Sequence, residues 1–356
     1  MNFFKLFHRL DVAFDVLLEH LQGGREFGGV DGGHTRFYAA CHAAYARPMA
    51  RSILIDCDPG LDDALALLLA HGDPNLNLVG VTTVGGNVGL ETTTRNALQL
   101  REYLGFDKVP VAAGAAEPLT RQVRDAAHVH GAGGLGDVVL PEAVLEAHDD
   151  HAVDFIIDTL RAAPGSIHLV ATGPLTNIAL ALEREPAIAR WVASFTIMGG
   201  SYTRGNATVA AEFNIWADPE AARIVFDADW RVTMIGLDLT LQAQANAAVI
   251  SRLKELGKLA DHLIVPLATF YFNPNDEDWD GQAVHDVCAV AYVARPDLFT
   301  VRPARVDIET TGEFTTGMTV VDFDPVVPNA AVATHLDVAG FWAYVENVYA
   351  RVAREH

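Results

Sequence analysis

Between residues 52 and 237, short apolar runs alternate with longer stretches in which apolar positions recur every three or four residues. The runs are Ile53–Asp56, Leu78–Thr83, Val109–Ala112, Ile167–Ala171, Phe195–Met198 and Val232–Leu237. Apolar runs this short, with no polar alternation, are the pattern of strands buried on both faces, as in a parallel sheet. The segments Asp62–Ala70, Thr92–Leu104, Val153–Ala162, Leu175–Glu183 and Pro219–Phe226 carry helical periodicity. Strand and helix alternating at these lengths predict an α/β fold: a doubly wound, mostly parallel sheet with helices on both faces and right-handed crossovers. Further helices are expected around Ala260–Phe272, Ala283–Val293 and Val338–Ala353. The alternating stretch Val301–Val321, with its turn residues, predicts a small antiparallel hairpin at the sheet edge.

Residues 1–50 stand apart. Phe3, Leu6, Leu10, Phe14, Leu17 and Leu21 fall at helical spacing, and the glycine-rich stretch Gly23–Gly33 then interrupts regular structure. Met49 lies just before RSILIDCDPG, where a compact domain would begin. The expectation is an extension that is poorly ordered or the product of a mis-assigned start, rather than a regulatory arm. Residues 51–356 contain no linker, repeat or low-complexity tract, which predicts one domain.

Charge narrows the partners. The chain carries 25 basic and 46 acidic residues, a net charge of −21. A field of that sign repels phosphate backbones and anionic lipid, so neither nucleic acid nor a membrane surface is expected as a partner. Cations and neutral substrates remain compatible with it. The three cysteines Cys41, Cys57 and Cys288 are too few and too scattered for a disulfide framework or a zinc site, which suits the cytoplasm. No apolar run approaches the roughly 20 residues needed to span a bilayer, and the first residues lack the continuous apolar core of a signal peptide.

The densest chemistry lies in ILIDCDPGLDDALALLLAHG. A strand runs into Asp56-Cys57-Asp58, Pro59-Gly60 turns, and Asp62-Asp63 open a helix. Helix capping and a favourable position in the helix dipole account for one or two of these acids. They do not account for four. Two carboxylates about 4 Å apart repel by roughly 4 kcal/mol at an effective dielectric near 20, so several converging at a strand end require a cation or raised pKa values. With only oxygen ligands nearby the cation should be hard, and Ca²⁺, which tolerates irregular geometry with about six to eight oxygens, is preferred over Mg²⁺. An EF-hand is excluded, because Gly60 occupies its third ligand position and Leu61 its required glycine.

In an open parallel sheet, ligands collect at the carboxyl ends of the strands. There the chain places Val84-Gly85-Gly86-Asn87, Thr172-Gly173-Pro174-Leu175-Thr176-Asn177, Gly199-Gly200 with Gly205-Asn206 and Ala211-Glu212-Phe213-Asn214 beyond, and Asp238. Glycines permit close backbone approach, and Asn, Glu and Asp pair with a polyhydroxyl ligand. Any one Asn alone reads as a turn residue; their shared address is what points to a site. His285-Asp286 opens an apolar helix, where the acid can be a plain helix-start residue. Beside a metal site, Asp286 can instead be a ligand and His285 a proton donor near neutral pH. His128 and His130 lie in the glycine-rich HVHGAGGLG and read as pocket or lid residues.

Together, DCDPGLDDALA, TTVGGN, HVHGAGGLG, ATGPLTNIALAL, MGGSYTRGNATVAAEFNIWADPEAA and VHDVCAVAY resemble the inosine-uridine-preferring nucleoside hydrolases, from about Ser52 to the C-terminal helix. The resemblance implies a Rossmann-like nucleoside hydrolase fold and Ca²⁺-dependent hydrolysis of the N-glycosidic bond of ribonucleosides, giving ribose and a free nucleobase. It implies Asp58, Asp63, Asp286 and the main-chain carbonyl of Thr172 as calcium ligands, and Asp58 as the base that deprotonates the attacking water. Asp62, Asn87, Asn206, Glu212 and Asn214 match the groups that hold the ribose hydroxyls. His285 matches the residue that assists the departing base, His130 a base-side loop position, and Asp56 a supporting one. The expected partners are a small ribonucleoside and further copies of the chain, as a homodimer or homotetramer.

Two features depart from the family pattern: the N-terminal extension, and the acidic segment Asn273–Gln282 where base contacts vary. Tyr271, Phe272 or Trp279 can stack on a base or simply pack, so purine-versus-pyrimidine preference stays open. A phosphatase of the haloacid dehalogenase type also starts with Asp-x-Asp after a strand. It wants Thr or Val where Gly60 stands, and a lysine near the phosphate, yet no lysine lies between Lys108 and Lys254. A non-catalytic nucleoside- or ribose-binding protein is the other alternative; the presence of Asp58 and His285 argues for turnover.

Overall fold

The alternation of runs and periodic stretches becomes a nine-stranded sheet in the order β10-β9-β11-β6-β5-β4-β1-β2-β3. Its strands are β1 (Arg51–Cys57), β2 (Leu76–Thr83), β3 (Val111–Ala113), β4 (Ile167–Ala171), β5 (Val192–Met198) and β6 (Val232–Ile235), then β9 (Phe299–Ile308), β10 (Thr319–Asp322) and β11 (Ala330–Leu336). A separate two-residue pair joins β7 (Gln244–Ala245) to β8 (Gln282–Ala283). This computed structural model describes residues 50–270 and 281–356. The expected amphipathic N-terminal helix, Tyr271, Phe272 and Trp279 lie outside the described residues.

Strands β3, β2, β1, β4, β5, β6 and β11 pair in parallel, and β9 and β10 add antiparallel at one edge. The edge hairpin therefore forms as expected, but β11 inserts between it and β6. The sequence predicts no strand there, because Ala330-Ala331-Val332-Ala333 offers small side chains rather than a bulky apolar run. The strand is nonetheless central and paired on both sides, so tertiary context overrides its weak local preference.

Alternation along each strand divides the interior into two cores. Ile53, Ile55 and Cys57 face one, Leu54 the other. The first core is closed by helices α1 (Leu61–Gly72), α2 (Leu90–Leu104), α6 (His285–Ala294) and α7 (Val338–Ala353). The second is closed by α3 (Ala152–Ala162), α4 (Thr176–Arg184) and α5 (Pro219–Asp227). Helix α1 is buried along its whole length except His71, which is why its sequence is apolar all round rather than on one stripe. Its middle is tied to α7 by the Tyr349 hydroxyl, which donates to the Leu65 carbonyl at 3.0 Å. The helix that carries the acidic motif is thus fixed from every side.

The helix expected over Ala260–Phe272 is instead a π-turn, Ala260–Ile264, running into an α-turn, Val265–Thr269. Pro266 supplies no N–H for an ordinary ladder, which fits the irregular winding. Among the described residues no helix is long and apolar enough to cross a membrane.

Phe195 on β5 is completely buried and stacks on Trp230 with ring centroids 4.4 Å apart. Phe195→Ala should lower stability by about 3–5 kcal/mol, read from the shift of the urea unfolding midpoint. A loss within about 0.5 kcal/mol, the range of a surface substitution, would contradict its place in the second core.

Candidate active site

The strand order reverses direction at β1 and β4: from β1 the chain winds outward through β2 and β3, then returns and winds the other way through β4, β5 and β6. At such a switch point the loops leaving the carboxyl ends of neighbouring strands part and open a crevice. Asp58 follows β1, Asn87 follows β2, and Thr172 follows β4 in that crevice. Asp286 enters from the start of α6, far away in sequence.

The acids meet there almost without exposure. Asp58 Oδ2 accepts the Asn87 backbone N–H at 2.7 Å, while its shielded Oδ1 has no hydrogen-bond partner. Asp63 Oδ2 accepts the Gly60 N–H at 3.0 Å and the Asn87 Nδ2–H at 3.1 Å; its Oδ1 accepts the Thr172 hydroxyl at 2.8 Å. Carboxylate oxygens of Asp62, Asp63 and Asp286 lie within 4.8 Å of one another, an arrangement that can hold a metal ion. Asp62, expected from the resemblance on the sugar, belongs to this acid group and also faces the cavity, and Asp58 adjoins the group. Two glycines let the chain come this close. A β-carbon at Gly86 would stand 2.1 Å from Asp58 Oδ2, and one at Gly173 2.7 Å from Asp58 Oδ1.

Burial dominates the electrostatics. It raises the Asp63 carboxyl to about 7, with the charge of Asp62 adding to the effect. Burial, then Asp63, lifts Asp58 well above the usual carboxylate range; burial, then Asp62, does the same for Asp286. Asp56 is raised to about 7 by burial against the opposing hydrogen bonds from Thr82 and Asn177, at 2.6 and 2.8 Å. Its Oδ1 is thereby occupied by the scaffold, which suits a supporting part.

Above the acids lies a cavity of about 610 Å³ whose wall includes Asp62, Asn87, His130, Thr172, Asn206, Glu212, Asn214, His285 and Asp286. Asp58 and Asp63 contribute no part of that wall. Glu212 Oε1 accepts the Asn214 N–H at 2.9 Å, and its Oε2 accepts the Gly200 N–H at 2.9 Å; burial still raises it to about 7. Asn214 Nδ2 donates to the Thr172 carbonyl at 2.7 Å and to the Met198 carbonyl at 3.0 Å. Asn206 is exposed at the rim, where its Oδ1 accepts the Phe213 N–H at 2.9 Å. The buried His130 Nδ1 accepts the Leu61 N–H at 3.2 Å, so its proton belongs on Nε2; burial lowers its pKa and keeps the ring neutral. His285 is likewise lowered by burial, against the opposing charge of Asp62, and its Nδ1 lies 2.7 Å from the Thr240 hydroxyl.

Sequence reasoning passed over several neighbours. Thr240 belongs to a short turn after β6 and carries no local signal. Trp216 lines the cavity under Arg124, whose guanidinium carbon is 3.9 Å from the ring centroid. Only the AEFNIWADPEAA motif, which places Trp216 two residues beyond Asn214, could have flagged it.

A family model described as inosine-uridine preferring nucleoside hydrolase matches residues 53–343. The chain is 46% identical over 310 residues to the inosine-uridine preferring nucleoside hydrolase of Leishmania major, covering 85% of this chain and 99% of that relative. It is 42% identical over 299 residues to the pyrimidine-specific ribonucleoside hydrolase RihA of Salmonella paratyphi B, covering 82% and 96%. Among solved structures, the purine-preferring ribonucleoside hydrolase from Gardnerella vaginalis matches with a TM-score of 0.81 at 34% identity, over 86% of this chain and 100% of that one.

The raised carboxyls tie stability to pH. In the unfolded chain Asp56, Asp63 and Glu212 titrate near 4, so each contributes stability that is fully present below about pH 4 and is lost as pH rises through about 7. Melting temperatures of cation-free and cation-saturated protein should therefore diverge between about pH 5 and pH 7.5, the cation-free form falling further behind. A gap that does not widen with pH would contradict the clustering of buried carboxyls.

Proposed function

The chain belongs to the inosine-uridine preferring nucleoside hydrolases and hydrolyses the N-glycosidic bond of ribonucleosides; we propose that it does so with Ca²⁺, held by Asp58, Asp63, Asp286 and the Thr172 carbonyl. The observation that carries the reading is the shielded Asp58 Oδ1, an orphaned carboxylate oxygen beside three converging carboxyl groups. Buried polar atoms are rarely left without a partner, and an all-oxygen donor set suits a hard cation. The Thr172 carbonyl keeps a second lone pair beside its bond to Asn214.

When bound, such a cation supplies positive charge beside the sugar hydroxyls and makes water a better nucleophile near neutral pH. The rest is done by side chains. Asn87, Asn206, Glu212, Asn214 and Asp62 line the cavity and hold the ribose hydroxyls, orienting the anomeric carbon. Asp58, beside the place the cation would occupy, takes the proton of the attacking water. As the C1′–N bond breaks, positive charge develops on the ribose, and the surrounding carboxylates oppose it favourably. The bond's electrons leave with the base, and His285 Nε2 delivers a proton to it. His130 lines the same cavity, with its Nδ1 held by the Leu61 N–H.

The base preference is open on these grounds, since one relative is named for pyrimidines and a structural neighbour for purines. A homodimer or homotetramer in the cytoplasm is the setting we propose. Residues 51–356 form the hydrolase domain, supported by a family match that begins at residue 53.

Purified protein with Ca²⁺ and inosine, uridine, adenosine or cytidine should release reducing sugar. Excess chelator should abolish the release, and Asp58→Ala should cost about 100-fold or more in kcat. Tight nucleoside binding with no ribose formed would overturn the catalytic reading; full activity in chelator would overturn the cation.

A further inference from the structure

Beyond β6 the chain makes the tight turn Leu237–Thr240, which touches no part of the acid cluster in sequence. The turn is held on three sides. Thr240 is fully buried, its N–H donating to the Gly236 carbonyl at 3.0 Å and its carbonyl accepting from Ala243 at 2.9 Å. The Asp238 carboxylate accepts the Tyr202 N–H at 2.6 Å and the Thr203 hydroxyl, anchoring the segment that leads to Asn206. Gln242 then bonds the Asp238 carbonyl at 2.8 Å and the Thr334 carbonyl at 3.2 Å, and accepts from the Leu336 N–H at 3.1 Å, fastening the turn to β11. From this fixed base the Thr240 hydroxyl meets His285 Nδ1 at 2.7 Å.

We propose that Thr240 is a positioning residue for His285, its hydroxyl fixing the imidazole plane and aiming Nε2–H at the leaving base. The inference rests on the reading of His285 as the proton donor to that base. The chemistry of the partner matters. To give up a proton and finish as a neutral imidazole the ring must start protonated, so Nδ1 carries a hydrogen throughout and needs an acceptor. The Thr240 hydroxyl oxygen, 2.7 Å away, is that acceptor both before and after the Nε2 proton moves. Because backbone bonds on both sides hold Thr240, the hydroxyl is already in place before substrate arrives and costs no rearrangement during the reaction.

The test compares two leaving groups. One is the better turned over of inosine and uridine, whose base departs poorly without a proton. The other is p-nitrophenyl β-ribofuranoside, whose phenolate departs unaided. Thr240→Val removes the hydroxyl at near-constant volume and should lower kcat on the nucleoside by about 10- to 100-fold, with KM changed by no more than about 2-fold. On the nitrophenyl riboside its kcat should stay within about 3-fold of the parent. Thr240→Ser should keep most activity on both, and His285→Ala should show the same leaving-group selectivity with a larger loss. Thr240→Ala runs beside the valine variant and carries the comparison should valine prevent folding, which melting curves report. Equal losses on both substrates, or serine no better than valine, would overturn the positioning role. His285→Ala losing equally on both would overturn the assignment of His285, and this inference with it.

Discussion

Several carboxyl groups buried together at the floor of a cavity repel one another, and the placement of most other parts of this site answers to that repulsion. Asp62, Asp63 and Asp286 bring oxygens within 4.8 Å, and Asp58 adjoins them with one oxygen unpartnered. At this spacing each pair of ionised groups costs about 4 kcal/mol even in a fairly polarisable interior. Donors offset part of it: the Gly60 and Asn87 amides, the Asn87 side chain and the Thr172 hydroxyl all aim at Asp58 or Asp63. The start of α1 adds its dipole at Asp62 and Asp63. What remains is a demand for a counter-charge, and raised pKa values express the same demand when none is bound.

A cluster under such stress needs a stiff frame, and the fold provides one. Helix α1 is buried between sheet and helices, so its first turn cannot drift to relieve the repulsion. Gly86 and Gly173 let two loops press against Asp58 where any side chain would collide. Function then separates by direction. The acids lie at the floor between β1 and β4, Glu212 and Asn214 stand on the β5 side, and His285 and His130 supply imidazoles at the wall. Nearly every one of these groups is bonded to backbone or to a fixed neighbour, which favours a preorganised site over one assembled on binding.

Local chemistry was legible in the sequence and distant chemistry was not. Asp58, Asp62 and Asp63 could be read as a cluster because a strand, a Pro-Gly turn and a helix start compress them into a few residues. The parallel sheet was legible from its apolar runs, and the edge hairpin from alternation. Thr172 joined the cluster only through the family resemblance, and Asp286 only as one of two readings of a helix-start acid, since nothing near either in the chain implies an acid partner. Strand β11 escaped because alanines carry little strand signal, and Thr240 because a single hydroxyl in an LDLT turn has no pattern at all. The spatial grouping of the aspartates also needed coordinates: spacing says that acids converge, but only geometry brings Asp286 against Asp62 and Asp63.

The central claim, that buried carboxyls at the end of β1 are completed by a hard cation, is tested most directly by calorimetric titration of chelator-treated protein with Ca²⁺ in two buffers of different ionisation enthalpy. The account predicts saturable binding of about one cation per chain with net release of protons, because raised carboxyls must ionise to become ligands. It also predicts that Asp63→Asn and Asp286→Asn weaken that binding. Absence of saturable binding, or binding whose heat is the same in both buffers, would contradict it.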